Sequence, residues 1–99
     1  MAKYKLTNKA VEDLTKIWNY TFDTWSEKQA DLYYESLLFG CQKVANDLSI
    51  GKNYTEVIDN LFGYKVNKHI IFYRETGLEY IEITRILHEQ MDLVNRLLD

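Results

Sequence analysis

The chain reads as an α+β fold, a helical hairpin packed on a small, mainly antiparallel sheet in the order β-α-α-β-β-β-α. Three observations carry that reading. Between residues 10 and 48, apolar side chains recur at helical spacing in two runs separated only by a cap signal. Between residues 63 and 87, the pattern changes to strand-like runs divided by tight turns. With 99 residues, both patterns belong to one domain, residues 1–99. A chain of this size buries roughly 65% of its unfolded surface, enough for a core without metal or disulfide support.

Lys3-Tyr4-Lys5-Leu6-Thr7 alternates polar and apolar residues, as a half-buried strand does. Thr7 or Asn8 can cap the helix that follows, expected near residues 8–23, with Ala10, Leu14, Ile17, Trp18, Thr21 and Trp25 on its apolar stripe. Glu12 and Asp13 are read as first-turn acids facing the helix dipole. Ser26-Glu27-Lys28-Gln29 has the form of a capping box and opens a second helix near residues 27–48. Its stripe runs through Ala30, Tyr33 or Tyr34, Leu37, Cys41, Val44 and Leu48. Residues 49–53 read as loop. Strands follow at Gly63–Val66, His69–Glu75 and Leu78–Leu87, joined by turns at Asn67-Lys68 and Thr76-Gly77. Met91, Val94, Leu97 and Leu98 outline a short final helix.

Composition excludes several function classes. The chain is 46% hydrophobic and 14% aromatic, which argues against disorder. Cys41 is the single cysteine, so no internal disulfide forms and a reducing cytoplasm is the expected compartment. No apolar run approaches the ~18 residues of a membrane span, and residues 1–5 lack a signal-peptide core. Twelve basic residues against fifteen acidic ones give a net charge of −3. Neither residues 1–61, with 7 basic and 9 acidic, nor residues 62–99, with 5 and 6, is a basic block. Direct nucleic-acid binding through phosphate neutralisation is therefore not favoured. There is no metal-ligand spacing and no glycine-rich phosphate loop, and no cofactor is expected.

The ordered set Leu6-Thr7-Asn8-Lys9-Ala10, Asp13-Leu14, Ile17-Trp18, Tyr20-Thr21, Trp25, Gln29-Ala30 and Tyr33 continues with Gly51 and Ile58. It ends in His69, Ile71-Phe72-Tyr73-Arg74, Arg85-Ile86-Leu87-His88 and Met91-Asp92. Over essentially the whole chain this set resembles the ParE branch of the RelE/ParE toxin superfamily of type II toxin–antitoxin systems. No single piece is specific; the order of about a dozen positions is. The chain departs from the family on the strand before His69, where residues 60–66 carry no arginine and Lys65 and Lys68 are the nearby cations.

The resemblance implies a cytoplasmic toxin of the plasmid-stabilisation type, held inactive in a hetero-oligomer with a ParD-like antitoxin. Its implied target is DNA gyrase, inhibited by binding rather than by catalysis. The alternatives are a RelE-like ribosome-dependent mRNA endonuclease and a degenerate member that only binds its antitoxin. The fold serves both toxin classes and does not choose between them. A nuclease would need a base, an acid and cations around the phosphate. The inventory for it is Lys65, Lys68, His69, Tyr73, Arg85 and His88, with Arg74 beside Tyr73. The ending Asn95-Arg96-Leu97-Leu98-Asp99 lacks the terminal Tyr or His of RelE-type sites.

The candidate gyrase-binding surface joins the ends of the last two strands to the final helix: Arg74, Arg85, His88, Met91 and Arg96. Plainer readings stand beside each of these residues. Arg85, sharing a strand face with Ile81, Ile83 and Leu87, needs a carboxylate if buried, from Glu12, Asp13 or Asp92. Arg74 is expected in solvent at a strand end. His69 is expected to bond nearby backbone, and His88 to cap the sheet edge or pack on Tyr73. Trp18, Phe22, Trp25 and Tyr33 are read as core on helical stripes, and Cys41 as an inert buried thiol. For the antitoxin, the expected dock is exposed apolar surface along the first helix and the sheet edge.

Overall fold

Chain-local chemistry sets the two long helices. The computed structural model describes residues 2–98. β1 (Lys3–Leu6) leads into α1 (Asn8–Thr24), whose cap is Thr7, with its hydroxyl accepting from the Ala10 N–H. α2 (Glu27–Asn46) opens two residues after α1 closes, with the Ser26 hydroxyl accepting from the Gln29 N–H at 3.1 Å. α2 stops at Asn46, short of the expected 48, because the Asp47 carboxylate takes the Ser49 N–H and hydroxyl and starts a 3-10 turn (Leu48–Ile50). β2 (Lys52–Asn53), a two-residue strand, then occupies the segment expected to be loop.

β3 (Phe62–Val66), β4 (His69–Glu75) and β5 (Tyr80–His88) form the meander. Asn67, at φ 55°, makes the first turn, and Gly77, at φ 81°, makes the second. β5 begins two residues later than expected. The Thr76 hydroxyl accepts from the Leu78 N–H and donates to the Tyr80 carbonyl, which holds Leu78 out in the turn. α3 (Leu93–Leu98) closes the described chain, with Met91 ahead of it rather than on it.

The strands form one sheet in the order β1-β5-β4-β3-β2. All pairings are antiparallel except β1 with β5, which is parallel with Tyr4 opposite Ile81. The helical hairpin covers one face. There Leu14, Leu37, Cys41 and Val44 pack on Ile71, Tyr73, Ile81, Ile83 and Ile86. α2 lies close enough that a Cβ on Gly40 would meet Val66 Cγ2 at 2.7 Å and Ile71 Cδ1 at 2.8 Å. The opposite face carries a second core: Leu61, Ile70, Phe72, Leu87 and Leu97, with Tyr54, Val57, Ile58 and Leu93 against it. The nearly continuous apolar run of β4 follows from this, because a strand covered on both faces has no solvent side.

Among the described residues no helix is long and apolar enough to cross a membrane. The α+β class and the expected element order hold, with β2, the parallel edge and the second core as additions. Two expectations for α1 fail. Its first turn carries no acid, because Asp13 lies further along and turns inward. Trp25 and Phe22 are not core: they are 73% and 46% exposed. The helix ends at Thr24, so Trp25, as its cap with φ −123° and ψ −85°, leaves the stripe. Phe22 instead stacks on half-buried Trp18, with ring centroids 5.2 Å apart.

Candidate functional site

A bulge in β5 decides where the arginines go. Phe72 pairs with Arg85, but Tyr73 pairs with Ile83, so Thr84 is the extra residue. Alternation changes phase there. Ile81 and Ile83 face the helices, whereas Leu87 belongs to the second core. Arg85, in register with Phe72, therefore does not share a face with Ile81 and Ile83 as strict alternation would require.

β1 ends at Leu6, so the later part of β5, paired with β4 on one side, has no strand along its outer edge. α1 completes that edge with side chains. The Thr7 hydroxyl donates to the Thr84 carbonyl at 2.8 Å. Asp13, 8% exposed, accepts from the Ile86 N–H at 3.0 Å. The same carboxylate receives Arg85 through Nε at 2.8 Å and Nη2 at 3.0 Å. Arg85 Nη1 donates to the Arg96 carbonyl at 2.9 Å, which ties α3 to the sheet. Of the three carboxylates considered from sequence, Asp13 is the partner.

Arg74 is exposed near the end of β4, as expected, but it is ion-paired there. Its Nε and Nη2 both reach Glu82 Oε1 at 2.8 Å, directly across the β4–β5 register. Arg74 and Arg85 line one cavity of about 390 Å³, together with Lys9 and Glu82 and the apolar Leu61 and Leu97. Arg74, Arg85 and α3 are thus brought together. His88 is not, because it lies on the helix side of the sheet, opposite His69. Met91, 42% exposed, lies in the link between β5 and α3.

The histidines form a separate group at the other end of β4. With its ring neutral, Nδ1 of His69 accepts the Tyr33 hydroxyl at 2.6 Å, so its partner is a side chain rather than nearby backbone. His88 packs edge-on against His69, with centroids 5.1 Å apart, and not against Tyr73; its Nδ1 accepts from the Gln90 N–H. Burial, reinforced by the neighbouring His88, lowers the His69 pKa to about 4. Burial raises the Tyr33 pKa, opposed by a backbone hydrogen bond at Lys68. Lys65 pairs with Glu89 at 2.9 Å, and the hydrogen bond it donates holds that carboxylate below its ordinary value.

Lys65, Lys68, His69 and His88 therefore share one end of the sheet. Tyr73 is fully buried elsewhere and donates its hydroxyl to the Leu48 carbonyl. Arg85 is held by Asp13 on the other cavity. Cys41 is buried with its pKa pushed up to about 12 by desolvation, which suppresses the nucleophilic thiolate. Among the described residues, no group of three or more His, Cys, Asp and Glu side chains could hold a metal ion.

Some partners were legible in the sequence and some were not. Asp13 was among the acids considered for Arg85, whereas Glu82 was not singled out for Arg74: a two-residue turn at Thr76-Gly77 would set Arg74 opposite Glu79, and the register instead centres on Leu78, with Glu75 opposite Ile81. Tyr33 and Glu89 needed the packing of α2 and the register of three strands, and no local signal announces either.

The family model for the ParE toxin of the type II toxin–antitoxin system parDE matches residues 4–93. The chain belongs to the ParE toxin family. Toxin ParE1 of Mycobacterium tuberculosis (strain ATCC 25618 / H37Rv) is 32% identical over 92 residues, covering 93% of this chain and 94% of that protein. Toxin ParE of Escherichia coli is 32% identical over 99 residues, covering 100% of this chain and 96% of that one. In structure, this ParE-family chain is similar to a chain of the chromosomal ParDE toxin–antitoxin system of P. aeruginosa, with a TM-score of 0.76 at 18% identity. That match covers 89% of this chain and 96% of the other. It is also similar to a chain of the toxin–antitoxin complex RelBE2 of M. tuberculosis, with a TM-score of 0.58 at 19% identity over 88% of this chain and 96% of that one. These two likenesses establish the shared RelE/ParE fold.

Proposed function

We propose that this ParE-family toxin inhibits DNA gyrase by binding it, without catalysis, and that a cognate ParD-like antitoxin neutralises it in the cytoplasm. Family membership supports the toxin role. One observation favours binding over cleavage: two of the six groups a nuclease would use, Tyr73 and Arg85, lie away from the rest, and several are already engaged. Arg85 is locked on Asp13, Tyr73 on the Leu48 carbonyl, and Lys65 on Glu89. His69, with its pKa near 4, is a weak base at neutral pH. The acidic balance of the chain points the same way.

The candidate gyrase surface keeps Arg74, Arg85 and Arg96 around the α3 side of the sheet, with Met91 and His88 at its margin. The antitoxin is proposed to dock an apolar helix on the hairpin, where Tyr20, Trp25, Leu32 and Phe39 are all more than half exposed.

The endonuclease reading rests on the grouping of Lys65, Lys68, His69 and His88 and on fold likeness to the RelBE2 toxin chain. Expression of the chain without antitoxin separates the readings. Early loss of supercoiling with intact mRNA supports gyrase inhibition. Cut mRNA with gyrase untouched supports the nuclease. An absence of toxicity supports a chain that only binds its antitoxin.

A further inference from the structure

We propose that Glu89 is the built-in occupant of an oxyanion site formed by Lys65, Lys68 and His88, and that it keeps phosphate groups out of that site. This deepens the reading of a toxin that binds rather than cleaves, and rests on it. The main chain fixes Glu89 in place. It directly follows the paired His69 and His88, and its N–H donates to the Lys68 carbonyl at 2.9 Å. Its carboxylate takes the Lys65 ammonium at 2.9 Å. That hydrogen bond does most to hold the carboxylate below its ordinary value, and the charges of Lys65, His88 and Lys68 add to it, so all three act on one acid. Lys68 is exposed and makes no ion pair of its own among the described residues. Asp13, the other acid near the histidines, is committed to Arg85. One carboxylate therefore answers two ammonium groups.

The histidines supply donors here and no base. His88 accepts the Gln90 N–H at Nδ1, and His69 accepts the Tyr33 hydroxyl at Nδ1, so each neutral ring carries its hydrogen on Nε2. Among the described residues no buried side-chain nitrogen or oxygen lacks a hydrogen-bond partner, and neither Nε2 bonds a protein group, so solvent reaches both. The solvent-facing nitrogen of each ring is thus an N–H with no lone pair to take a proton from a nucleophile. Without Glu89, two ammonium groups and a ring N–H would stand together with no counter-charge, which is the donor set of a phosphate site. With Glu89 present, an incoming phosphate meets a fixed negative charge on the lysine it needs. Glu89 so decides what the most basic end of the sheet accepts.

The test titrates inorganic phosphate, at neutral pH and constant ionic strength, into the ¹⁵N-labelled full chain and into Glu89→Gln, and follows NMR shifts. In the variant, the amides of Lys65, Lys68 and His88 are expected to move and to saturate at about tenfold lower phosphate than in the unchanged chain. Adding Lys68→Gln should reverse that gain. Glu79→Gln removes an exposed carboxylate from the β4–β5 turn, with the same change in net charge, and should leave phosphate binding as it was. Dispersed spectra report that each variant folds. A short uridine oligonucleotide separates the sources of phosphate: a gain shared with it extends the exclusion to nucleic-acid backbones, and a gain with inorganic phosphate alone confines it to free phosphate. Equal saturation of the unchanged chain and Glu89→Gln overturns the proposal. So does an equal gain from Glu79→Gln, which would assign the effect to net charge. Because neither gyrase nor antitoxin is in the tube, a phosphate gain alongside unimpaired supercoiling would remove the gyrase target and leave the role of Glu89 standing.

Discussion

Asp13 satisfies donors from two consecutive residues of β5, the side chain of Arg85 and the N–H of Ile86, where no strand is present to do so. Arg85 and Asp13 side chains are only 14% and 9% exposed, so removing one partner strands a buried charge. Asp13→Ala is expected to cost about 3–5 kcal/mol in urea unfolding; a loss under about 1 kcal/mol would mean that water replaces the carboxylate. His69 makes a second residue-scale prediction. Its pKa falls from 6.5 unfolded to about 4 folded, so the unfolded chain binds the extra proton in that window. Stability should be full above pH 6.5 and decline as pH falls toward 4, by on the order of 1 kcal/mol once partial exposure is allowed for. His69→Gln should flatten that part of the pH–stability curve. The need of Arg85 for an acid was legible from its place on an apolar strand. The choice of Asp13 was not, because the two lie 72 residues apart and meet only after β1 stops at Leu6.

Elements with strong local signals were read within a residue or two: both caps, the two-residue joint of the hairpin, and β4 from end to end. The stripe of α2 was legible because its apolar spacing is regular. Leu37, fully buried, should cost about 2–5 kcal/mol on truncation to alanine, and a loss below about 0.5 kcal/mol would contradict the packing described. The bulge at Thr84 shows in the sequence only as a slip in alternation, with Ile81 and Ile83 followed by Ile86 rather than by position 85, and reading the strand as strictly alternating missed it. α3 was seen, but its stripe was read too broadly. Leu97 is 8% exposed and packs in the second core, whereas Val94 and Leu98 are 50% and 61% exposed. Leu97→Ala should therefore destabilise by about 2 kcal/mol. Leu98→Ala should stay within about 0.5 kcal/mol. Thermal unfolding of the two variants checks that contrast, and equal effects would mean α3 sits differently on the sheet.

On the scale of the whole molecule, the resemblance carried by about a dozen ordered positions anticipated the family that the comparisons establish. It could not reveal the second core, since residues 54–61 have no periodicity, and their burial on the far side of the sheet depends on tertiary packing. Charge and exposed apolar surface make separate demands on partners. The exposed apolar side chains of the hairpin, Tyr20, Trp25, Leu32 and Phe39, predict an antitoxin interaction driven by apolar anchors. Its affinity should change only modestly between low and moderate salt, measured by calorimetry. A steep fall with salt would assign that interaction to charge instead. The claim on which the functional account turns is that this chain acts on gyrase by binding. Purified gyrase supercoiling relaxed plasmid DNA tests it directly, with the chain added alone and after saturation with its antitoxin. The chain alone is expected to abolish supercoiling and antitoxin to restore it; supercoiling that proceeds unchanged in the presence of folded, antitoxin-free chain would mean that gyrase is not its target.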